Sequence, residues 1–101
     1  MKNATDVLLF IQIVSYSFIP PMEKEVELKK LGAHIQEIRN GKGITQEKLA
    51  HIVGKDRQSI QRLEVGNVNP TYFYLQEIAA GLDMTVGTLI VKLEEKNKKA
   101  E

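Results

Sequence analysis

Four long polar side chains that can pair with the edges of nucleobases fall within one short stretch of the chain. They are Arg57, Gln58, Gln61 and Arg62. An arginine guanidinium can bond O6 and N7 of guanine in parallel, and a glutamine amide can bond N6 and N7 of adenine, each pair giving roughly 1–3 kcal/mol of discrimination. A merely solvated helix face is the alternative, because polar composition alone does not separate the two interpretations.

The elements that must position these side chains are five predicted helices, which make the expected fold all-α. Leu28, Leu31, Ile35 and Ile38 have the spacing of one apolar helix face, and residues 40–43 (NGKG) end that helix. Four capping residues predict the later starts at Thr45, Asp56, Thr71 and Thr85. The apolar residues expected to face inward from these helices are Leu49, Ile52, Val53, Ile60, Leu63, Leu75, Ile78, Ala79, Val86, Leu89, Ile90 and Leu93.

The second and third predicted helices form the most informative pair. About eight residues of helix, a break at Gly54 and about nine more residues of helix match a helix-turn-helix. Ala50 is small where the two helices must cross, Gly54 accepts the positive φ of the turn, and Ile60 fills the angle between the helices.

Residues 28–93 resemble the lambda-repressor-like family, also called Cro-type or XRE-type helix-turn-helix domains. The resemblance rests on a T-Q-E-x-L-A opening, the Gly54 turn, an I-x-x-L-E-x-G close and an N-P-T entry, all in register. It implies a DNA-binding domain whose third helix faces the major groove with Arg57, Gln58, Ser59 and Arg62. Helix periodicity independently places four long polar side chains opposite Ile60 and Leu63, and these are the base-reading candidates: Arg57, Gln58, Gln61 and Arg62. The residues expected to contact the DNA backbone are Thr45, Gln46, Lys55, Ser59, Asn67 and Asn69.

The same resemblance gives Arg39 and Glu64 a structural role, as an internal ion pair between the first and third helices. Two features depart from the family pattern. Lys55 stands where an apolar residue is usual, so either it reaches toward phosphate or the turn packs differently. Residues 72–74 are three consecutive aromatics, and three consecutive helical positions cannot all face one core.

The ends of the chain differ from this central domain, residues 22–93. Residues 1–21 are apolar, and 7–19 are rich in β-branched and aromatic types, which predicts a strand that pairs with its copy in a second subunit. The alternative is a natural start at Met22, with 1–21 as an upstream extension. The apolar run is shorter than the about 20 residues of a membrane span, and no signal-peptide cleavage site follows it. Residues 94–101 form a charged tail that is expected to fray.

Composition narrows the function further. The 101 residues carry a net charge of +1 and no cysteine, which agrees with an expected cytoplasmic location. His34 and His51 lack ligand spacing, so we expect no metal and no cofactor. Asp56 is interpreted as a helix cap and Glu64 as an ion-pair partner, so the two carboxylates near the motif do not form a catalytic pair. We therefore expect that the protein is not an enzyme. The leading hypothesis is a sequence-specific transcriptional regulator, a repressor that binds double-stranded DNA as a homodimer on a palindromic operator and reads it with a helix at about residues 56–65. The alternatives are an antitoxin with a toxin partner, or a protein-interaction module that has lost DNA binding.

Overall fold

The computed structural model describes residues 6–7 and 22–100, without the side chain of Ala100. Within 22–100 the chain forms five helices and no strand, which confirms the all-α prediction. The helices are α1 (Lys24–Gly41), α2 (Gln46–Val53), α3 (Arg57–Glu64), α4 (Tyr72–Gly81) and α5 (Val86–Ala100). Asp6 and Val7 are helical. Beyond Val7, the predicted strand at 7–19 lies outside the described residues.

All four predicted N-caps form, which explains why the last four helices start where they do. In each, a side-chain oxygen accepts a hydrogen bond from the backbone N–H three residues later, a donor that the helix itself leaves unpaired. The bonds are Lys48 to Thr45 (3.0 Å), Ser59 to Asp56 (2.7 Å), Tyr74 to Thr71 (3.0 Å) and Thr88 to Thr85 (3.1 Å). Gly54 ends α2 in the left-handed conformation, with φ of 70°.

The core lies where the five helices meet, and most of its members were predicted. The buried apolar residues are Ile35, Leu49, Ala50, Ile60, Leu63, Ile78, Ala79, Leu82 and Leu89. The prediction for Ile52 is wrong, because its side chain is 47% exposed. Leu49, Ile52 and Val53 all approach Gly81 of α4, but Ile52 lies at the open edge of that contact. Its neighbours there are Val53, Glu77, Ala80 and Gly81.

The crossing of α1 and α3 depends on a glycine within α1, which no sequence motif marks. Gly32 is buried in α1, and a Cβ built on it would lie 2.4 Å from the backbone oxygen of Leu63 and 2.5 Å from that of Glu64. No side chain fits at that distance. Gly32 therefore lets the backbones of α1 and α3 approach closely, and this contact sets where α3 lies on the domain.

Helix α5 continues beyond Leu93 to Ala100, so the segment 94–100, expected to fray, is helical. Two polar contacts join α5 to α1 in the described residues: Lys96 forms an ion pair with Glu37, and the imidazole of His34 hydrogen-bonds the backbone oxygen of Leu89 at 2.9 Å. The tail is rich in Glu, Lys and Ala, which favour helix, so its charge did not prevent helix formation.

Candidate nucleic-acid interface

Helix α3 has two chemically different sides. Ile60, Leu63 and Glu64 are buried against the rest of the domain. Arg57, Gln58, Gln61 and Arg62 are all exposed, and in residues 22–100 their side chains form no hydrogen bond or ion pair. We call these four residues the reading face. Their i, i+1, i+4, i+5 spacing places them on one side of the helix, and three of them border a shallow depression.

The start of α3 is fixed by Asp56. Its carboxylate accepts the Ser59 N–H at 2.7 Å, and the hydrogen bonds from the backbone and side chain of Ser59 lower the pKa of Asp56, with a smaller contribution from the charge of Arg62. Ser59 is half-buried. Ser59, a predicted contact to the DNA backbone, thus gives its backbone N–H to the cap.

The inner side of α3 is attached to α1 by a buried ion pair. Arg39 Nε lies 2.6 Å from Glu64 Oε2, and Arg39 Nη2 lies 2.9 Å from Glu64 Oε1, so the guanidinium and carboxylate pair through two parallel bonds. The remaining terminal nitrogen of Arg39 donates to the backbone oxygen of Ile44 at 2.7 Å. The hydrogen bonds to Glu64 raise the pKa of Arg39. The structure therefore places these two residues in the geometry of an internal ion pair.

Gln46, at the first position of α2, belongs to the same network. Its amide nitrogen donates to Glu64 Oε1 at 2.9 Å. From sequence, Gln46 is predicted to contact the DNA backbone, and the bond to Glu64 is not predictable from its position in the motif. One carboxylate thus holds a residue of the core, Arg39, and a residue at the border of the exposed surface.

Lys55, in the turn between α2 and α3, is directed toward α4. Its Nζ lies 3.7 Å from Glu77 Oε1 and 5.4 Å from the centre of the Tyr74 ring. The phenolic oxygen of Tyr74 is buried without a hydrogen-bond partner in the described chain. Burial raises the pKa of Tyr74, and the charges of Glu77 and Asp56 raise it further. Sequence reasoning missed these contacts, although the unusual lysine at this position was a signal of different packing.

The other predicted contact residues lie around α3. Thr45 is exposed at the start of α2, and Asn67 and Asn69 are exposed in the loop between α3 and α4. Of the three consecutive aromatics, Tyr72 and Phe73 are each 68% exposed and Tyr74 is half-buried. This agrees with the expectation that they cannot share one core.

The described residues offer no metal site. No group of three or more histidine, cysteine or acidic side chains in them is placed to hold an ion. His34 is buried, and its ring serves the contact with Leu89. No helix in the described part of the chain has the length and apolar character needed to cross a bilayer.

Known proteins that are similar to this chain are also helix-turn-helix proteins. The family model for helix-turn-helix proteins, HTH_3, matches residues 35–89. An uncharacterized HTH-type transcriptional regulator of Sinorhizobium fredii, y4dJ, is 32% identical over 71 residues, which are 69% of this chain and 92% of the relative.

Two solved structures are similar as well. The restriction-modification controller protein C.AhdI of Aeromonas hydrophila is 33% identical, with a TM-score of 0.61 over 63% of this chain and 97% of that one. The controller protein C.Esp1396I, a tetramer in complex with its 35 base-pair operator, is 34% identical, with a TM-score of 0.64 over 67% of this chain and 90% of that one. This chain therefore belongs to the HTH_3 family, the XRE-type helix-turn-helix proteins that bind DNA and regulate transcription.

Proposed function

We propose that the protein is a repressor that acts as a homodimer on a palindromic operator and inserts α3 into the major groove. The observation that carries this proposal is the reading face. Its four side chains are long, exposed and without partners in residues 22–100, on a helix whose other side is buried and ion-paired. Side chains with those properties can donate hydrogen bonds to base edges. The buried and ion-paired side of α3 holds the helix, and with it these side chains, in a fixed position.

The surroundings of α3 suit the DNA backbone. Thr45, Gln46, Asn67 and Asn69 lie at the start of α2 and in the loop after α3, where hydroxyls and amides can bond phosphate oxygens. Each protomer presents one α3, and two-fold dimers of such domains bind half-sites about one helical turn apart. C.Esp1396I, a tetramer on its operator, supports an oligomeric DNA complex. We also propose a cytoplasmic location. We propose no catalytic activity for the interface, because its carboxylates Asp56 and Glu64 are both engaged in structural contacts.

The proposal is tested by selecting preferred sites from random duplex DNA and titrating the best site over a salt series. We expect a palindromic site bound far more tightly than random duplex. Arg57→Ala and Arg62→Ala should each reduce that preference by about 1–3 kcal/mol, roughly five- to 150-fold, because each removes a base contact.

Lys98→Ala is the matched control, since it removes one exposed positive charge from α5. It should leave the preferred sequence and its preference unchanged. Weak, salt-sensitive binding with no enriched sequence would contradict the proposal and leave only phosphate contact. A protein-interaction module would then become the better interpretation.

A further inference from the structure

The backbone between α2 and α3 turns tightly at Lys55. The Lys55 N–H donates to the Ala50 backbone oxygen at 2.8 Å, and the next residue, Asp56, is the N-cap of α3. The position of the Lys55 side chain is therefore coupled directly to the start of the helix that carries the reading face.

The Lys55 ammonium has two partners on α4, and both are half-buried. Glu77 provides a carboxylate oxygen at 3.7 Å and Tyr74 the face of its ring at 5.4 Å. Tyr74 and Glu77 are three residues apart, so they lie on the same side of α4. Asp56 and Arg62 of the reading-helix region are close enough to influence the pKa of Tyr74. The contact thus joins the beginning of α3 to α4.

We propose that Lys55 is a positioning residue that fixes the start of α3 against α4 and does not bind phosphate. We call Lys55, Tyr74 and Glu77 the turn clamp. To reach a phosphate, the Lys55 ammonium would have to leave both Glu77 and Tyr74. The carboxylate of Glu77 would then lie unpaired near the negatively charged DNA. This inference rests on the proposed DNA-reading function and adds a residue that controls specificity through geometry.

Two conservative substitutions distinguish the turn clamp from a phosphate contact. Lys55→Gln and Glu77→Gln each remove one side of the ion pair without reversing a charge. Lys55→Gln removes both the ion pair and the cation–π contact, so it should reduce the preference for the selected site over random duplex by about threefold to tenfold. Glu77→Gln removes only the ion pair, so it should reduce the same preference by about twofold to fivefold. The slope of log affinity against log salt should stay at the wild-type value in Lys55→Gln.

A phosphate contact gives different results. Lys55→Gln would then weaken binding to all sequences alike and reduce the salt slope by about one. Glu77→Gln would strengthen binding, because it removes a negative charge and releases Lys55. Lys48→Gln and Glu47→Gln are the matched controls, as both are exposed on α2 and make the same charge changes.

Loss of preference in both variants, with an unchanged salt slope and a cooperative melt, supports the turn clamp. An unchanged preference, or a salt slope lowered by about one in Lys55→Gln, overturns it. The titration of the wild type distinguishes failure of the turn clamp from failure of the proposed function. A wild type that has no preferred sequence defeats both proposals, whereas a wild type that selects its site and tolerates both substitutions defeats only the turn clamp.

Discussion

At the scale of single residues, His34 is a buried titratable group outside the proposed interface. It is 3% exposed, and its Nε2 donates to the backbone oxygen of Leu89, which leaves Nδ1 as an acceptor with no partner in the described chain. Burial is the main cause that lowers the pKa of His34. The charges of Lys96 and Lys92 lower it as well, and the Leu89 bond and Glu37 act in the opposite direction.

This environment predicts that the domain loses stability in mild acid. Because the pKa of His34 is lower in the folded chain, the unfolded chain binds a proton first once the pH falls below about 6.5. The stability that the uncharged His34 contributes is fully present above that pH. It is lost as the pH falls through the pKa of His34 in the folded chain. Thermal melts between pH 7.5 and about 5 should show a falling Tm in the wild type and a flatter profile in His34→Gln, at pH values where carboxylates contribute little.

His51→Gln is the matched control, since His51 is exposed on α2. Its profile should follow that of the wild type. Equal profiles for all three proteins would show that the burial of His34 does not govern the acid response.

At the scale of elements, the approach of α1 to α3 predicts a steric effect. Gly32→Ala should destabilise the fold by about 1–3 kcal/mol, because the new methyl group meets the backbone oxygens of Leu63 and Glu64 and one helix must move. Since α3 carries the reading face, the preference for the selected site should fall as well. Chemical denaturation and DNA titration measure the two effects.

Gly41→Ala, also in α1, is the control for glycine replacement. A Cβ there meets nothing within 4 Å. Its stability should equal or exceed that of the wild type, because alanine favours helix. If Gly32→Ala were equally harmless, the close approach of α1 and α3 would not be what positions α3.

The elements also show what could be predicted from sequence and what could not. The helix starts were predictable because a capping residue such as Asp56 bonds a backbone N–H only three residues away. The position of the reading face was predictable from helix periodicity. The exposure of Ile52 and the role of Gly32 were not, since both depend on which helix lies opposite. The extension of α5 was not predicted, because the charge of residues 94–101 favours fraying whereas their Glu, Lys and Ala content favours helix. The Arg39–Glu64 contact was expected from family resemblance, and the bond between Gln46 and Glu64 was not expected at all.

At the scale of the whole molecule, a net charge of +1 gives little attraction to DNA over long distances. A single 11.4 kDa protomer also presents only one reading face. We therefore expect tight binding only when two protomers occupy neighbouring half-sites. Sedimentation of the selected duplex with increasing protein should show two protomers on a palindrome, bound cooperatively, and one on an isolated half-site, bound much more weakly.

Lengthening the spacer by five base pairs is the control for that experiment, because about half a turn puts the second half-site on the opposite side of the duplex. This change should abolish cooperativity and leave the affinity for each half-site intact. Equal affinity for the palindrome, the half-site and the lengthened site would mean that the protein binds as independent monomers.

The two-sided construction of α3 also bears on how such a protein diverges after gene duplication. The residues that hold the helix, Ile60, Leu63 and Glu64, share no side-chain bond with the four residues of the reading face. Two copies of the gene can therefore accumulate different residues at 57, 58, 61 and 62 while both retain the same core. Under the proposed function, regulators that bind different operators can arise in this way through a few substitutions, each of which leaves the core folded.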